Sequence, residues 1–358
     1  MRLVLPLTAV AIVLLAWVSR GEEGAPKATI ARLERPIWLL GLENPSWLLP
    51  HRGSESETRV TVFTFSDTSP PKPEEVGDRR GTSIGRDTRS LPLFLAERVF
   101  VETNCRVVAN LIVMPGVGPV VLRKEWPLKT LVGVSPEDPP EVIISGTVAQ
   151  RYAGLESHVR IDVWDTREGA REMTIENTKY FDSPSATALA LARELVAHLV
   201  GAGHCRSVEY PVRWGPPPER IVAKYLDALG QLIPQLLAYG SLVPVESIWG
   251  ESDMLEWYRA LRADMAGSIA ARLIYVRGIL LSRAYGGTAH EAHTGPLLSE
   301  LSAAKEATDP IYRLSPLIFS RLGYASRCSV RKAELLQTAT NDYRSWLQRV
   351  RCEDPPDG

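Results

Sequence analysis

The chain has no excess of charge of either sign. Its 358 residues include 41 lysines and arginines and 42 aspartates and glutamates, which gives a formal net charge of −1. Proteins that bind nucleic acid normally present a basic face, so this balance gives no electrostatic support for such a partner. Hydrophobic residues at 45% and charged residues at 23% are close to the average of globular proteins. We therefore expect a folded protein, long enough for two domains, that does not bind nucleic acid.

The sequence also lacks the signatures of common cofactor chemistry. It contains no phosphate-binding P-loop and no glycine fingerprint of a dinucleotide-binding fold. None of its cysteines forms a CxxC pair, which leaves thioredoxin-like and zinc-ribbon chemistry without support. Residues 303–310 are similar to the end of a tetratricopeptide repeat, but no self-similarity with a period of about 34 residues accompanies them. We predict neither a cofactor nor a metal site.

One long apolar run is present, at the N-terminus. Leu3–Val18 directly follows Met1 and Arg2 and contains no charged residue. A positive end followed by an apolar run indicates an export signal, so we predict a periplasmic or other extracytoplasmic location. The small-x-small pattern of a cleavage site is weak, and no cysteine follows to accept a lipid. Residues 1–20 are therefore interpreted as a signal peptide or as an uncleaved membrane anchor.

The chain has four cysteines, Cys105, Cys205, Cys328 and Cys352. In an exported protein an even number of cysteines suggests disulfides, and four cysteines allow three pairings. Nearness in sequence and the domain division given below favour Cys105–Cys205 and Cys328–Cys352. Free buried thiols are the alternative.

Residues 21–57 are interpreted as a linker that carries two similar motifs. Pro36-Ile-Trp-Leu-Leu40 recurs nearly unchanged as Pro45-Ser-Trp-Leu-Leu49. Two Trp-Leu-Leu triplets close to an anchor could lie at a membrane interface, where tryptophan is favoured. We favour the alternative, in which the triplets clasp an extended arm onto the following domain.

Residues 58–207 combine strand and helix patterns. Strands are predicted over residues 59–65, 105–114, 141–149, 158–164 and 171–180, with a turn at Asp165–Gly169. A polar loop over 66–89 precedes one helix that ends near Asn104, and a second helix opens at Ser183–Ser185 and ends near Gly201. This order predicts an α+β domain, a mixed sheet with helices on one face.

Four features of this region carry a family resemblance: VTVFTF as the first strand, ISGTVAQ with the central Gly146, VRIDVWDTREG, and a closing amphipathic helix. With them, residues 58–205 resemble the small domain at the N-terminus of TolB and in the related FlgO-like and adenylate-cyclase-associated proteins. The long loop before Leu91 and the irregular segment 115–140 depart from that compact pattern. The resemblance implies an envelope-associated interaction domain and supplies no catalytic residues.

The remaining chain is predicted to be helical. A linker rich in proline and glycine spans residues 208–218, and helices are predicted over residues 219–238, 252–285 (one helix or two in series), 295–307, 312–322 and 330–350. Such a series predicts a helical bundle or solenoid-like domain over residues 219–352. Residues 353–358 are interpreted as a disordered tail.

Two motifs match expressions used by serine enzymes. Gly81–Gly85 fits GxSxG around Ser83, but that chemistry needs the serine directly after a buried strand, and the preceding residues are polar. Ser329–Lys332 fits SxxK, but no companion Lys-Thr-Gly strand is present, and we expect a helix start with an exposed lysine. Both matches are interpreted as coincidental.

Histidines offer the only other candidate chemistry. His290 and His293 are three residues apart among glycines, so we expect a loop and at most an adventitious metal site, since zincin sites need a spacing of four on a helix. His198 and His204 lie beside Cys205 and invite a metal site, but a histidine at a helix C-terminus ordinarily interacts with the helix dipole.

These observations favour a non-enzymatic, exported interaction or scaffold protein of the cell envelope. Its partners would be other envelope proteins or a membrane surface, bound through a sheet edge or a helical face. Two alternatives stay open: an exported serine hydrolase that uses Ser83, and a sensor whose helical domain binds a small ligand.

Overall fold

A mixed sheet occupies the N-terminal half of the protein and helices dominate the C-terminal half, which confirms the α+β class. The computed structural model describes residues 28–49, 58–70, 83–151, 156–178, 183–248, 250–303 and 309–353. The apolar run Leu3–Val18 lies outside these residues. Within them, every helix is too short or too polar to cross a membrane.

Three parallel strands form the centre of the sheet. The strands are β1 Thr29–Leu33, β2 Arg59–Phe63, β3 Ser66–Asp67, β4 Arg106–Met114, β5 Gly118–Pro119, β6 Val142–Arg151, β7 Glu156–Asp165 and β8 Ala170–Asn177. Their main order is β1-β4-β2-β6-β7-β8. β4, β2 and β6 run parallel, whereas β1 adds antiparallel at one edge and the β7–β8 hairpin at the other. The predicted turn closes this hairpin, since Asp165 accepts hydrogen bonds from the backbone N–H groups of Arg167 and Glu168.

The helices are α1 Ser83–Glu102, α2 Leu128–Val132, α3 Pro184–Gly201, α4 Glu219–Tyr239, α5 Glu251–Asp264, α6 Ile269–Ala284, α7 His290–Ala303, α8 Pro310–Arg321, α9 Ala325–Leu336 and α10 Asn341–Arg349. α1 and α3 pack against the sheet and against each other. α4 packs on both of them and also on α5 and α6. One cluster of buried apolar side chains therefore continues from the sheet into the C-terminal helices.

Some helix boundaries differ from the predictions. α1 begins at Ser83, inside the predicted polar loop, and its polar Thr88 and Ser90 are buried, Ser90 against Gly230 of α4. For residues 252–285 the structure has the second of the two predicted alternatives, two helices in series, and the side chain of Ser268 caps the second by accepting a hydrogen bond from the N–H of Ala271. The predicted helix 330–350 is also two, α9 and α10.

The predicted linker is a packed arm over residues 28–49. Its first residues form β1, which hydrogen-bonds along β4, so that the linker prediction is wrong there. Both Trp-Leu-Leu triplets contact folded parts of the chain, as in the clasp interpretation. Trp38 is buried and stacks on Trp214, with ring centroids 5.4 Å apart. Trp214 lies in the predicted linker over residues 208–218. Trp47 meets Tyr343 of α10, with ring centroids 4.6 Å apart.

A buried carboxyl group joins this arm to the two halves. Glu97 of α1 accepts hydrogen bonds on Oε2 from Trp38 Nε1 and from Tyr225 of α4, both at 2.8 Å. Burial raises the pKa of Glu97, although the neighbouring Arg98 and the two donors oppose this shift. The arm, the sheet-side helix α1 and the helical half are thus held by one side chain.

The four cysteines form the two disulfides that the sequence favours. Cys105 pairs with Cys205 and Cys328 with Cys352, with Cα–Cα distances of 5.3 and 5.4 Å. The first bridge ties the start of β4 to the loop after α3, and the second ties α9 to the segment after α10. Disulfides persist in oxidising compartments, so both bridges fit an extracytoplasmic location.

Candidate functional site

A pocket of about 570 Å³ lies among α5, α6, α7 and the start of α8. Its lining contains Arg259, Arg262, Ala263, Ala266, Arg272, Tyr275, Pro296, Glu300 and Asp309. We call it the arginine pocket, because three guanidinium groups line it. Arg259 and Arg262 lie three residues apart on α5 and therefore share one face of that helix. The volume is in the range of small-molecule sites.

A bidentate ion pair between Arg272 and Asp309 lies at the rear of the arginine pocket. Arg272 donates from Nη1 and Nη2 to the two carboxylate oxygens of Asp309, at 2.7 and 3.1 Å. Asp309 also caps α8, since its Oδ1 accepts from the backbone N–H groups of Ile311 and Tyr312. Burial alone would raise the pKa of Asp309, but the hydrogen bonds from Arg272 and from the backbone lower it below its usual value. Arg272 is therefore fixed in place.

The two arginines of α5 are less firmly held. Arg262 lies 2.6 Å from Glu300, which also faces Arg272 at 3.6 Å. Arg259 lies 2.6 Å from Glu256, and these two side chains are 61% and 53% exposed. Exposed ion pairs contribute roughly 0–1 kcal/mol, so exchanging such a carboxylate for an incoming anion costs little. Arg259 is thus available to a ligand, whereas Arg262 shares the half-buried Glu300 with Arg272.

Tyr275 lines the arginine pocket and is paired with the buried His293 behind it. The hydroxyl of Tyr275 lies 3.1 Å from His293 Nδ1, and Arg262 lies 5.1 Å above the Tyr275 ring. Burial lowers the pKa of His293, opposed by Glu256, and burial also raises the pKa of Tyr275. A raised tyrosine pKa disfavours the phenolate that a nucleophile would need. The pair therefore suits binding better than covalent catalysis.

The two serine motifs lie on different helices, and the structure describes the first of them only in part. Ser83 is the first residue of α1, and Gly81 and Thr82 lie outside the described residues. Ser329 is exposed in the interior of α9, not at a helix start as predicted. Lys332 is half-buried, because its Nζ donates to the carbonyl oxygen of Val350 at 2.8 Å. This ammonium group is engaged in holding α9 to the end of α10.

The candidate histidines fall into two separate places. His290 and His293 lie on α7, so the predicted loop is a helix; it starts there because Gly286, with φ +85°, ends the preceding segment. His290 faces the carbonyl of Gly287, whereas His293 faces Tyr275.

His198 and His204 both face one carboxylate oxygen, Glu172 Oε2, at 3.3 and 2.9 Å. Glu172 belongs to β8, so this cluster joins the edge strand to the end of α3. Across the described ranges, no group of three or more histidine, cysteine or acidic side chains is arranged to hold a metal ion.

A carboxylate pair that the sequence does not single out lies where α1 crosses α4. Burial raises the pKa of Asp87 to about 7, and Asp227 of α4 adds to the rise, whereas Arg86 and Arg89 oppose it. Burial raises the pKa of Asp227 as well. The two helices meet closely here, since a Cβ at Gly230 would lie 3.7 Å from the Cβ of Ser90. Neither carboxylate lines the arginine pocket.

Sequence reasoning missed the arginine pocket, although a signal was present. Residues 252–285 were resolved into apolar positions only, while Arg259 and Arg262 repeat at a helical spacing and precede Arg272 and Tyr275, also three apart. A helical face with two closely spaced arginines, followed by a face with an arginine and a tyrosine, indicates a polar surface that could bind an anion. The acidic partners, Glu300 and Asp309, come from helices further along the chain.

In comparisons with known proteins, no family model matches this chain and no curated protein matches it in sequence.

Proposed function

We propose that this chain is an extracytoplasmic binding protein without a catalytic centre, whose helical half takes a small organic anion in the arginine pocket. The observation that carries the proposal is the pocket itself, in which Arg259 has only an exposed, exchangeable partner and Arg262 faces the half-buried Glu300 beside a fixed Arg272–Asp309 frame. Guanidinium groups bind carboxylates and phosphates with paired hydrogen bonds, so these are the ligand groups expected.

The location forms part of the same proposal. Leu3–Val18 would export the chain and either be removed or remain as an anchor. Two disulfides support an oxidising compartment. The partners would be other envelope proteins or a membrane surface, with the anion as the signal or cargo.

For the α+β half we propose an interaction role of the kind the resemblance to TolB-like and FlgO-like domains implies. Gly146 in β6 supports this reading, because a Cβ there would lie 2.5 Å from the carbonyl oxygen of Arg160 and 3.0 Å from the Phe65 ring. The free side of β8 suits strand addition poorly, since its exposed residues include Arg171 and Glu176, and charged edge strands resist pairing. The helical face is therefore the better place for recognition.

The proposal is tested by calorimetric titration of the full-length protein with citrate, succinate and glycerol 2-phosphate at constant ionic strength. We expect one of these anions to bind saturably, and Arg259→Gln combined with Arg262→Gln to weaken that binding about tenfold or more, since each charge-assisted hydrogen bond contributes about 1.5–3 kcal/mol. Arg213→Gln is the matched control, because Arg213 is exposed and does not line the arginine pocket. This variant should bind the anion as the wild type does. Binding that is the same in the double variant would refute the role of the pocket.

A further inference from the structure

Arg277 on α6 is almost completely buried, and one edge of its guanidinium group has no hydrogen-bond partner among the described residues. Its side chain is 5% exposed, and neither Nε nor Nη2 has an acceptor among the described residues. The groups that influence its charge are Tyr239 and a second cation, Arg321, so no carboxylate neutralises it there. Burial lowers the pKa of Arg277 to about 10, which leaves it charged at neutral pH.

Another buried arginine shows what the protein does elsewhere. Arg98 is 1% exposed, and its Nε donates to Glu102 at 2.8 Å while its Nη2 donates to the carbonyl of Trp214 at 3.1 Å. Nε and Nη2 both donate hydrogen bonds in Arg98, and neither of them does so in Arg277. A buried charge without a partner costs several kcal/mol, so a fold that retains one calls for an anion from outside the chain.

These two atoms of Arg277 have a specific geometry. The N–H groups of Nε and Nη2 point in parallel from one edge of the planar guanidinium group, and this edge can bind two oxygens of a carboxylate or of another oxyanion. The packed arm lies against the guanidinium group as a whole, because a Cβ at Gly41 would lie 2.7 Å from Nη1 and 2.9 Å from Nη2. Gly41 also has φ +75°, so both the conformation and the close approach favour glycine.

Tyr239 lies beside the Arg277 guanidinium group. The Tyr239 ring lies 5.6 Å from the Arg277 guanidinium and is 38% exposed. The same tyrosine lines a second cavity of about 530 Å³, together with Ser241, Leu242 and Tyr285. Tyr239 thus lines the cavity and also lies against the buried cation.

We propose that Arg277 is the anchor of a second anion site, in which its Nε and Nη2 edge binds the paired oxygens of a carboxylate or a small oxyanion that enters beside Tyr239. The site is independent of the arginine pocket. Arg277 follows Tyr275 by two residues on α6, which places it on the opposite side of the helix.

The test is thermal unfolding of the full-length protein in acetate and in selenate, at constant ionic strength against chloride. The wild type should show a saturable rise in melting temperature, as expected when a ligand binds only the folded state. Arg277→Met should lose this rise, with binding weakened at least tenfold, and should be no less stable in chloride because it removes an unpaired charge. Arg283→Met, on the same helix, is the control and should keep it. A preference for acetate would identify a planar carboxylate as the ligand, and a preference for selenate a tetrahedral oxyanion.

An equal rise in the wild type and in Arg277→Met would overturn the proposal, because excluded salts stabilise all folded proteins in that way. If Arg277→Met does not fold, wild-type crystals grown with selenate decide the matter. An anomalous peak at the Nε and Nη2 edge supports the site, and water alone at that edge refutes it. Neither result bears on titrations of the arginine pocket.

Discussion

Raising the pH from 5 to 8 should destabilise this protein through the carboxyl group of Asp87. Burial between α1 and α4 raises the pKa of Asp87 from 3.8 to about 7, with help from Asp227 and against Arg86 and Arg89. Between these two values the folded protein holds a proton that the unfolded chain releases. The free energy of unfolding therefore falls as the pH rises, and the stabilising contribution, complete below pH 4, is lost on passing pH 7.

The size of the effect follows from the two pKa values. One pKa unit corresponds to about 1.4 kcal/mol, so the free energy of unfolding should fall by about that amount for each pH unit in the window. The full difference is of order 4 kcal/mol, which is a large part of the 5–15 kcal/mol that typically separates folded from unfolded domains. Asp87→Asn keeps the shape and removes the titration, so it should flatten this dependence and be the more stable protein at pH 8.

Urea denaturation of the wild type and of Asp87→Asn at pH 5, 6, 7 and 8 measures this dependence. Asp227→Asn should flatten it in part, because removal of the second carboxylate lowers the pKa of the first. Glu194→Gln, at an exposed position of α3, serves as the control and should retain the wild-type slope. A slope in Asp87→Asn equal to that of the wild type would show that Asp87 does not hold a proton in the folded state, and the reasoning would fail.

Two further predictions concern the junction and the disulfides, and both are read from urea midpoints. Glu97→Leu leaves two buried donors without an acceptor and should cost about 2–6 kcal/mol, whereas Glu97→Gln should cost much less; equal losses would contradict the hydrogen-bond account. Replacing Cys105 and Cys205 by alanine should lower the free energy of unfolding by about 4.7 kcal/mol, because this disulfide closes a loop with a sequence separation of 100. Replacing Cys328 and Cys352 should lower it by about 3.5 kcal/mol, because the separation is 24. The reverse order would count against the loop-entropy model.

The parts of the fold that the sequence predicts well are those with a strong local period. β7 places the buried Val159, Ile161 and Val163 at alternate positions before the Asp165–Gly169 turn, and α3 begins at Pro184 with a serine before it. β1 was missed because its five residues carry no turn signal and its partners lie on β4, where Thr29 pairs with Val113. Strand pairing over such a separation is decided by tertiary packing.

The arginine pocket was harder to predict than the fold, because its residues gain meaning only in three dimensions. Taken by itself, Arg259 forms an exposed ion pair with Glu256 on α5, and pairs of this kind are common on helices. The cations become a site once α7 brings Glu300 and α8 brings Asp309 against α6. The buried Arg277 is harder still, since its distinguishing property is the lack of a partner, which no spacing can indicate.

Asp309 shows how a local signal and a distant contact depend on each other. Residues 303–310 suggest the end of a repeat by composition, yet Asp309 followed by Pro310 is the start of α8, with the aspartate as cap and the proline in the first turn. The same carboxylate binds both Nη atoms of Arg272. The cap orients the carboxylate, and the oriented carboxylate fixes the arginine, so the rear of the pocket can form only when α8 begins at Pro310.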